Sequence, residues 1–204
     1  MFIDNTYFVG EINIPNAEKN TTSIQQAINQ YEKEILIMLL GYKLYSLLIA
    51  DCTGEGNVPV TQKYMDLVNG AEFTQIINGD TVTLKWEGFT NAIKQSLVAY
   101  YVYYKYVERE VTHLSGVGTI LTPSNKGVRA SSENKMINAW EKMRLLYGVV
   151  PSSIRNRIQD PIKMYGFDYV FNYDGSAYNF LNANKADYPD WYFTPQWNIN
   201  IFGI

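Results

Sequence analysis

Glu87-Gly88-Phe89-Thr90-Asn91-Ala92-Ile93-Lys94-Gln95-Ser96-Leu97-Val98-Ala99-Tyr100-Tyr101-Val102-Tyr103-Tyr104-Lys105-Tyr106-Val107-Glu108-Arg109-Glu110-Val111 is the longest run with helical hydrophobic spacing in the chain. Phe89, Ile93, Leu97, Tyr101, Tyr104, Val107 and Val111 recur at steps of three and four, and Tyr100 and Tyr103 widen the stripe. This spacing predicts one helix from about Glu87 or Gly88 to Val111. A helix that is apolar nearly all round is packed on several sides, so it is expected at the centre of a helical body.

Upstream, a helix is expected from Thr21 or Thr22, where a hydroxyl can accept a bond from an unpaired backbone N–H. Its stripe is Ile24, Ile28, Tyr31, Ile35, Met38 and Leu39, and Gly41 ends or kinks it before Leu44, Leu47 and Leu48 carry a helical pattern to about Ala50. The apolar stretch Ile35 to Ala50 contains Gly41 and Lys43 and is shorter than the roughly 20 residues of a membrane span, so it reads as buried helix. Met1-Phe2-Ile3-Asp4 has neither a basic nor an apolar leader segment, and a soluble cytosolic chain is the expectation. Residues 1–20, with Pro15 and several Asn, read as an extended polar arm.

A loop from Asp51 to Asn57 and Pro59 precede a short helix from Thr61, with Tyr64, Leu67 and Val68 on its apolar face and Gly70 closing it. Asn78-Gly79 between β-prone residues is a hairpin signal. Ser115 to Gly127 reads as a long Gly-containing loop or a short β excursion. Ser131 or Ser132 caps a further helix carrying Met136, Ala139, Trp140, Met143 and Leu146 or Tyr147, stopped by Gly148 and Pro151. Ser152 to Gln159 fits one more short helix. Tyr165, Phe167, Tyr169, Phe171 and Tyr173 alternate as in a strand, Tyr178, Phe180 and Leu181 begin a helical turn, and residues 190–204 read as an extended apolar tail. The organisation expected is a mainly α protein: an arm over 1–20, a helical core over 21–164 with a short β-hairpin, and an aromatic-rich segment and tail over 165–204.

The chain has 204 residues, 17 basic and 20 acidic side chains, and a net charge of −3. That balance argues against a dedicated nucleic-acid grip, which needs a basic face. One Cys and one His exclude a disulfide framework and a Cys/His zinc site within one chain. His113, near the end of the long helix, suits a helix C-terminus, and Cys52 reads as a small, partly buried thiol without a basic neighbour. Asp51, Thr53, Glu55 and Gly56 match the start of a calcium loop, but Gln62 stands where the bidentate Glu belongs. Gly116-Val117-Gly118 lacks the Lys of a phosphate loop. No catalytic, cofactor or metal residues are therefore assigned.

From Tyr165 to Ile204, 13 of 40 residues are aromatic and five are charged, which marks a contact-making ending. Trp191, Tyr192, Phe193, Trp197 and Phe202 can each bury roughly 150–250 Å². Together they match one side of a standard interface of about 800 Å². The tail either packs on its own domain or docks on a neighbouring subunit or partner, and docking is the reading adopted.

Several segments, taken in order, resemble the head–tail connector (adaptor, or ring) proteins of tailed bacteriophages, nearest to those of Bacteroides phages and prophages including the crAss-like group. These segments are Leu39-Leu40-Gly41-Tyr42-Lys43-Leu44-Tyr45 with Tyr64-Met65-Asp66-Leu67-Val68-Asn69-Gly70, Trp86-Glu87-Gly88-Phe89 opening the helix with Ala99-Tyr100-Tyr101-Val102-Tyr103-Tyr104, Thr112-His113-Leu114-Ser115-Gly116-Val117-Gly118, and the ending Tyr178-Asn179-Phe180-Leu181, Tyr188-Pro189-Asp190-Trp191 and Asn200-Ile201-Phe202-Gly203-Ile204.

The resemblance implies a structural, non-enzymatic virion protein without cofactor, assembled in the host cytoplasm. It implies a homo-oligomeric ring, commonly of twelve copies, beneath the portal protein, with other connector or tail proteins as partners. DNA would pass nearby without specific binding, and no membrane is involved. The loop from Ser115 to Ala130, with Gly116, Val117, Gly118 and Ile120, would touch a neighbour or the portal. Two other readings compete: a carbohydrate- or protein-binding module using exposed aromatics, and a small hydrolase using Asp168 or Asp174.

Overall fold

Helical spacing in the sequence becomes a mainly helical body with a small antiparallel hairpin in the computed structural model, which describes residues 1–14, 21–54, 58–77, 79–115, 118–121, 132–148 and 175–194. Six helices are defined among these residues: α1 (Thr21–Leu40), α2 (Tyr42–Asp51), α3 (Gln62–Asn69), α4 (Leu97–Val111), α5 (Ser132–Tyr147) and α6 (Ala177–Ala183). The strands are β1 (Ala71–Ile77), β2 (Asp80–Trp86), β3 (Thr112–Ser115) and β4 (Gly118–Leu121), forming two separate hairpins.

Helix α4 is the central element its composition requires. Every residue from Leu97 to Tyr104 is buried, and the helix packs chiefly on α5 and α1. α1 presents Ile24, Ala27, Ile28, Ile35, Leu36 and Leu39 to the same core. Two of the tyrosines that enrich α4 bond carboxylates through their hydroxyls. Tyr100 donates to the Glu11 carboxylate and Tyr101 to that of Glu34. Burial, reinforced by the adjacent carboxylates, raises both phenol pKa values, so both hydroxyls remain donors.

The long helix starts ten residues later than its apolar spacing predicts. Residues 87–96 form a loop held by its own polar side chains. Gly88 takes φ +82°, and a Cβ there would lie 2.5 Å from the Val68 carbonyl oxygen. Thr90 donates its backbone N–H to the same oxygen at 2.9 Å. The Asn91 side chain accepts from the Gln95 N–H and donates to the Gln95 carbonyl, and Ser96 Oγ accepts from the Ala99 N–H as the helix begins. Such local bonds compete with helical ones. Phe89 is still buried, but by the loop, where it meets Trp86 edge to face at 5.6 Å; Ile93 is exposed rather than on a helical stripe.

The hairpin signalled by Asn78-Gly79 forms with Ala71 opposite Trp86 and Ile77 opposite Asp80. Its base is locked by Trp86, whose indole N–H donates to the Leu67 carbonyl at 2.8 Å and whose ring stacks on Phe180 of α6. Phe73 meets Phe180 edge to face. The β excursion after α4 is a second short hairpin, with His113 opposite Ile120 and Ser115 opposite Gly118. His113 is thus the second residue of β3, not part of the helix end.

The N-terminal segment is not a free arm over residues 1–14. Two 3-10 turns, Asn5–Tyr7 and Gly10–Ile12, lay Phe2, Ile3, Tyr7, Phe8, Ile12 and Ile14 into the core. Buried Glu32 of α1 receives the Phe2 N–H at 3.0 and 3.1 Å and the Ile3 N–H at 3.1 Å. The sequence hides this because Phe2, Ile3, Tyr7, Phe8, Ile12 and Ile14 follow neither a helical nor a strand spacing. Residues 15–20, the expected helix over 152–159 and the alternation over 165–173 lie outside the described residues.

Candidate functional site

The C-terminal end of an α-helix leaves four backbone carbonyls without intrahelical partners. In α1 all four are satisfied, three of them by one distant segment. The Gly41 N–H takes the Ile37 carbonyl at 2.9 Å. The Thr194 N–H takes that of Met38 at 3.1 Å, the Trp191 indole N–H that of Leu39 at 2.9 Å, and the Tyr192 N–H that of Leu40 at 3.2 Å. Residues 191–194 are therefore the C-cap of α1, supplied from more than 150 positions away.

The close approach depends on Gly41. Its φ of +77° and ψ of 154° fall in a region that glycine alone occupies readily, and a Cβ there would lie 2.9 Å from Tyr192 Cβ and 3.0 Å from the Tyr192 carbonyl oxygen. The segment is anchored further by Lys43 and Asp190 at 2.5 Å and by Tyr147, whose hydroxyl donates to the Thr194 carbonyl at 2.7 Å. Tyr178, Trp191, Phe193 and Tyr147 form a connected aromatic cluster with centroid separations from 4.8 to 5.9 Å. Just upstream, Tyr188 donates to the Lys63 carbonyl at 2.5 Å, and the Lys63 ammonium donates to the Asp187 carbonyl at 3.1 Å.

The same junction turns an apolar surface outward. Helix α2 buries Leu44 and Leu48, but Tyr42 (70% exposed), Leu47 (41%) and Ile49 (42%) point away from the core. Ser46 and Ala50 are exposed between them, and Ser46 Oγ donates to the Tyr42 carbonyl. Lys43 is the one charged side chain on that arc, and Asp190 neutralises it. Tyr192, 72% exposed, stands beside Gly41 at one end, and exposed Val58 and Val60 stand at the other.

The far end of α2 is held by Asp51. Its carboxylate accepts the Thr61 hydroxyl, the Thr61 N–H at 2.9 Å and the Val60 N–H at 3.0 Å, tying α2 to the start of α3. Desolvation pushes the Asp51 pKa up, but these bonds and Lys63 outweigh it and leave the pKa lowered. Asp51, which opens the incomplete calcium-loop pattern, is thus a structural acceptor. Burial, with Asp51 next to it, pushes the half-buried Cys52 thiol up, which disfavours the thiolate.

Among the described residues, no group of three His, Cys, Asp or Glu side chains is placed to hold a metal, and no helix is long and apolar enough to cross a membrane.

Of the residues expected at an interface, Trp191, Tyr192 and Phe193 come together at the α1–α2 junction. Trp191 and Phe193 are half-buried against the core of their own chain, and Tyr192 alone among the three is exposed. Gly118 and Ile120 lie on β4. Gly116, Val117, Trp197 and Phe202 lie outside the described residues, as do Asp168 and Asp174. The face of α2 was not singled out in the sequence, where Ile35 to Ala50 reads as buried helix. Its signal was present nonetheless: Tyr42-Lys43-Leu44-Tyr45-Ser46-Leu47-Leu48-Ile49-Ala50 carries Tyr42, Leu47 and Ile49 off the face of Leu44 and Leu48, more apolar residues than one buried face needs. Compared with protein-family models, curated proteins and solved structures, the chain matches none.

Proposed function

We propose that this chain is a structural subunit of a phage head–tail connector. Copies close into a ring, commonly of twelve in proteins of this type, beneath the portal and around the DNA channel of the virion. The ring meets the portal on one face and other connector or tail proteins on the other. The observation that carries the reading is the outward apolar arc of α2, flanked by Tyr192 and nearly free of charge. A ring subunit needs two different patches that close by rotation, and the arc would serve as one of them. The sequence resemblance points the same way, and the net charge of −3 suits a conduit that DNA passes without being held.

Mass photometry of the purified chain, alone and with the portal protein, tests the reading. The expected result is a discrete multiple of 23.4 kDa that associates with portal rings. A strictly monomeric protein without portal affinity at high concentration would overturn it. The sugar-binding alternative needs outward aromatic rings. Among the described residues only Tyr42 and Tyr192 are fully exposed aromatics, so it has a narrower basis.

A further inference from the structure

Helix α2 is anchored at its two ends and only lightly in between. Of its ten residues Leu44 and Leu48 alone are buried, while Tyr42, Lys43, Ser46, Leu47, Ile49 and Ala50 are exposed. Helix α4, by contrast, buries every residue from Leu97 to Tyr104. Most helical stability comes from packing of an apolar face, so α2 belongs to the low-stability end of this fold.

The end anchors make up the difference. Gly41, at φ +77° and ψ 154°, is not helical, so α1 and α2 meet at a joint and do not form one rod. Residues 190–194 bond to both sides of that joint. On the α1 side the Trp191 indole N–H and the Tyr192 and Thr194 N–H groups take the Leu39, Leu40 and Met38 carbonyls. On the α2 side Asp190 pairs with Lys43 at 2.5 Å. The far end of α2 is held by Asp51, which accepts the Val60 and Thr61 N–H groups.

These anchors depend on one another. When residues 190–194 leave, Lys43 loses its partner and α1 loses three terminal caps where the chain turns into α2. When α2 leaves, Lys43 is carried away from Asp190, and the Gly41 backbone on which Tyr192 rests is no longer fixed. Each loss lowers the cost of the other, which is a coupling between two sites and is reciprocal.

We propose that α2 and residues 190–194 form a latch: the two segments open together at Gly41 while α4 stays folded. Opening uncovers Leu44, Leu48 and the carbonyls of Met38, Leu39 and Leu40. Closed, the latch fixes where the exposed Tyr42, Leu47 and Ile49 stand. It operates within one chain and so does not depend on the connector reading.

Hydrogen exchange of the full-length chain, read residue by residue by NMR, tests the latch. In the parent, the amides of residues 46–51 and those of Tyr192 and Thr194 should share one opening equilibrium and exchange faster than residues 101–104 of α4. Two variants then perturb the latch from opposite ends. Asp51→Ala removes the anchor about 15 Å along α2 from Gly41. Trp191→Phe removes the cap on Leu39. Each is expected to speed both groups of amides by the same factor, roughly tenfold. Residues 101–104 should remain the slowest in both variants, which shows that the body keeps its fold. The inference is overturned if either variant speeds only the group at its own end, or if the two groups differ in opening equilibrium in the parent. It is also overturned if residues 46–51 exchange as slowly as residues 101–104 in the parent, because α2 then opens only with the whole molecule.

Discussion

Replacing Gly41 by Ala perturbs the α1–α2 junction at its tightest point. The backbone at φ +77° and ψ 154° costs a non-glycine residue about 1–3 kcal/mol. The new Cβ would stand 2.9 Å from Tyr192 Cβ and 3.0 Å from the Tyr192 carbonyl oxygen, and overpacking of this kind costs about 1–3 kcal/mol more. Reduced entropy of the unfolded chain returns about 0.4–1 kcal/mol. The net loss is about 1–5.6 kcal/mol, or roughly 2–22 °C in Tm for a chain of this length.

A double-mutant cycle separates the two costs. Tyr192→Gly removes the opposing Cβ but keeps the backbone N–H that caps Leu40 and the Trp191 indole that caps Leu39. In that background Gly41→Ala should cost about 1–2 kcal/mol less, measured by urea denaturation. Gly79→Ala is the control. Its φ is +93° with nothing within 4 Å of the added Cβ, so its cost of about 1–2 kcal/mol should not depend on Tyr192. If Gly41→Ala is neutral, or costs the same with and without the Tyr192 side chain, residues 191–194 do not sit against Gly41 and the capping account is wrong.

Trp191→Phe keeps most of the ring but removes the donor to the Leu39 carbonyl; denaturant titration should show a loss of about 1–3 kcal/mol, against which an unchanged midpoint would count. Burial raises the folded pKa of Glu32 above 4.5, even though the Ile3 and Phe2 N–H groups and the N-terminal ammonium oppose it. Its titration therefore adds stability below 4.5, and that contribution fades as pH rises through the raised value. Melting curves of the parent and Glu32→Gln across that window should diverge in the parent's favour toward low pH; parallel curves would contradict the burial. Asp51 has the opposite sign: its pKa is lowered, so its contribution is present above 3.8 and fades as pH falls through the lower folded value. In thermal melting, Asp51→Ala should lower the melting temperature at neutral pH and leave it nearly unchanged in acid.

Much of the architecture was legible because it is written in local chemistry. Helical spacing in Ile24, Ile28, Ile35 and Leu39 marks α1, Asn78-Gly79 marks the hairpin turn, and Gly41 and Gly148 mark helix ends. Each of these signals acts within a few residues, so neighbours in the chain suffice to read it. The loop over 87–96 escaped because Phe89 and Ile93 continue the apolar rhythm of α4. It is decided by Gly88 against Val68 and by the side chains of Asn91 and Ser96. The arm over residues 1–14 escaped for a similar reason, since its destination is Glu32, about thirty positions away.

The sequence alone was enough to read a helical body around a tyrosine-rich centre and a hairpin. Only the tertiary structure decided that Trp191 and Phe193 pack against the core of their own chain while α2 turns Tyr42, Leu47 and Ile49 outward. The physical reason is that an orphan carbonyl at a helix end accepts any N–H that reaches it. Spacing along the chain cannot say that the donor for Leu39 is an indole 152 residues later.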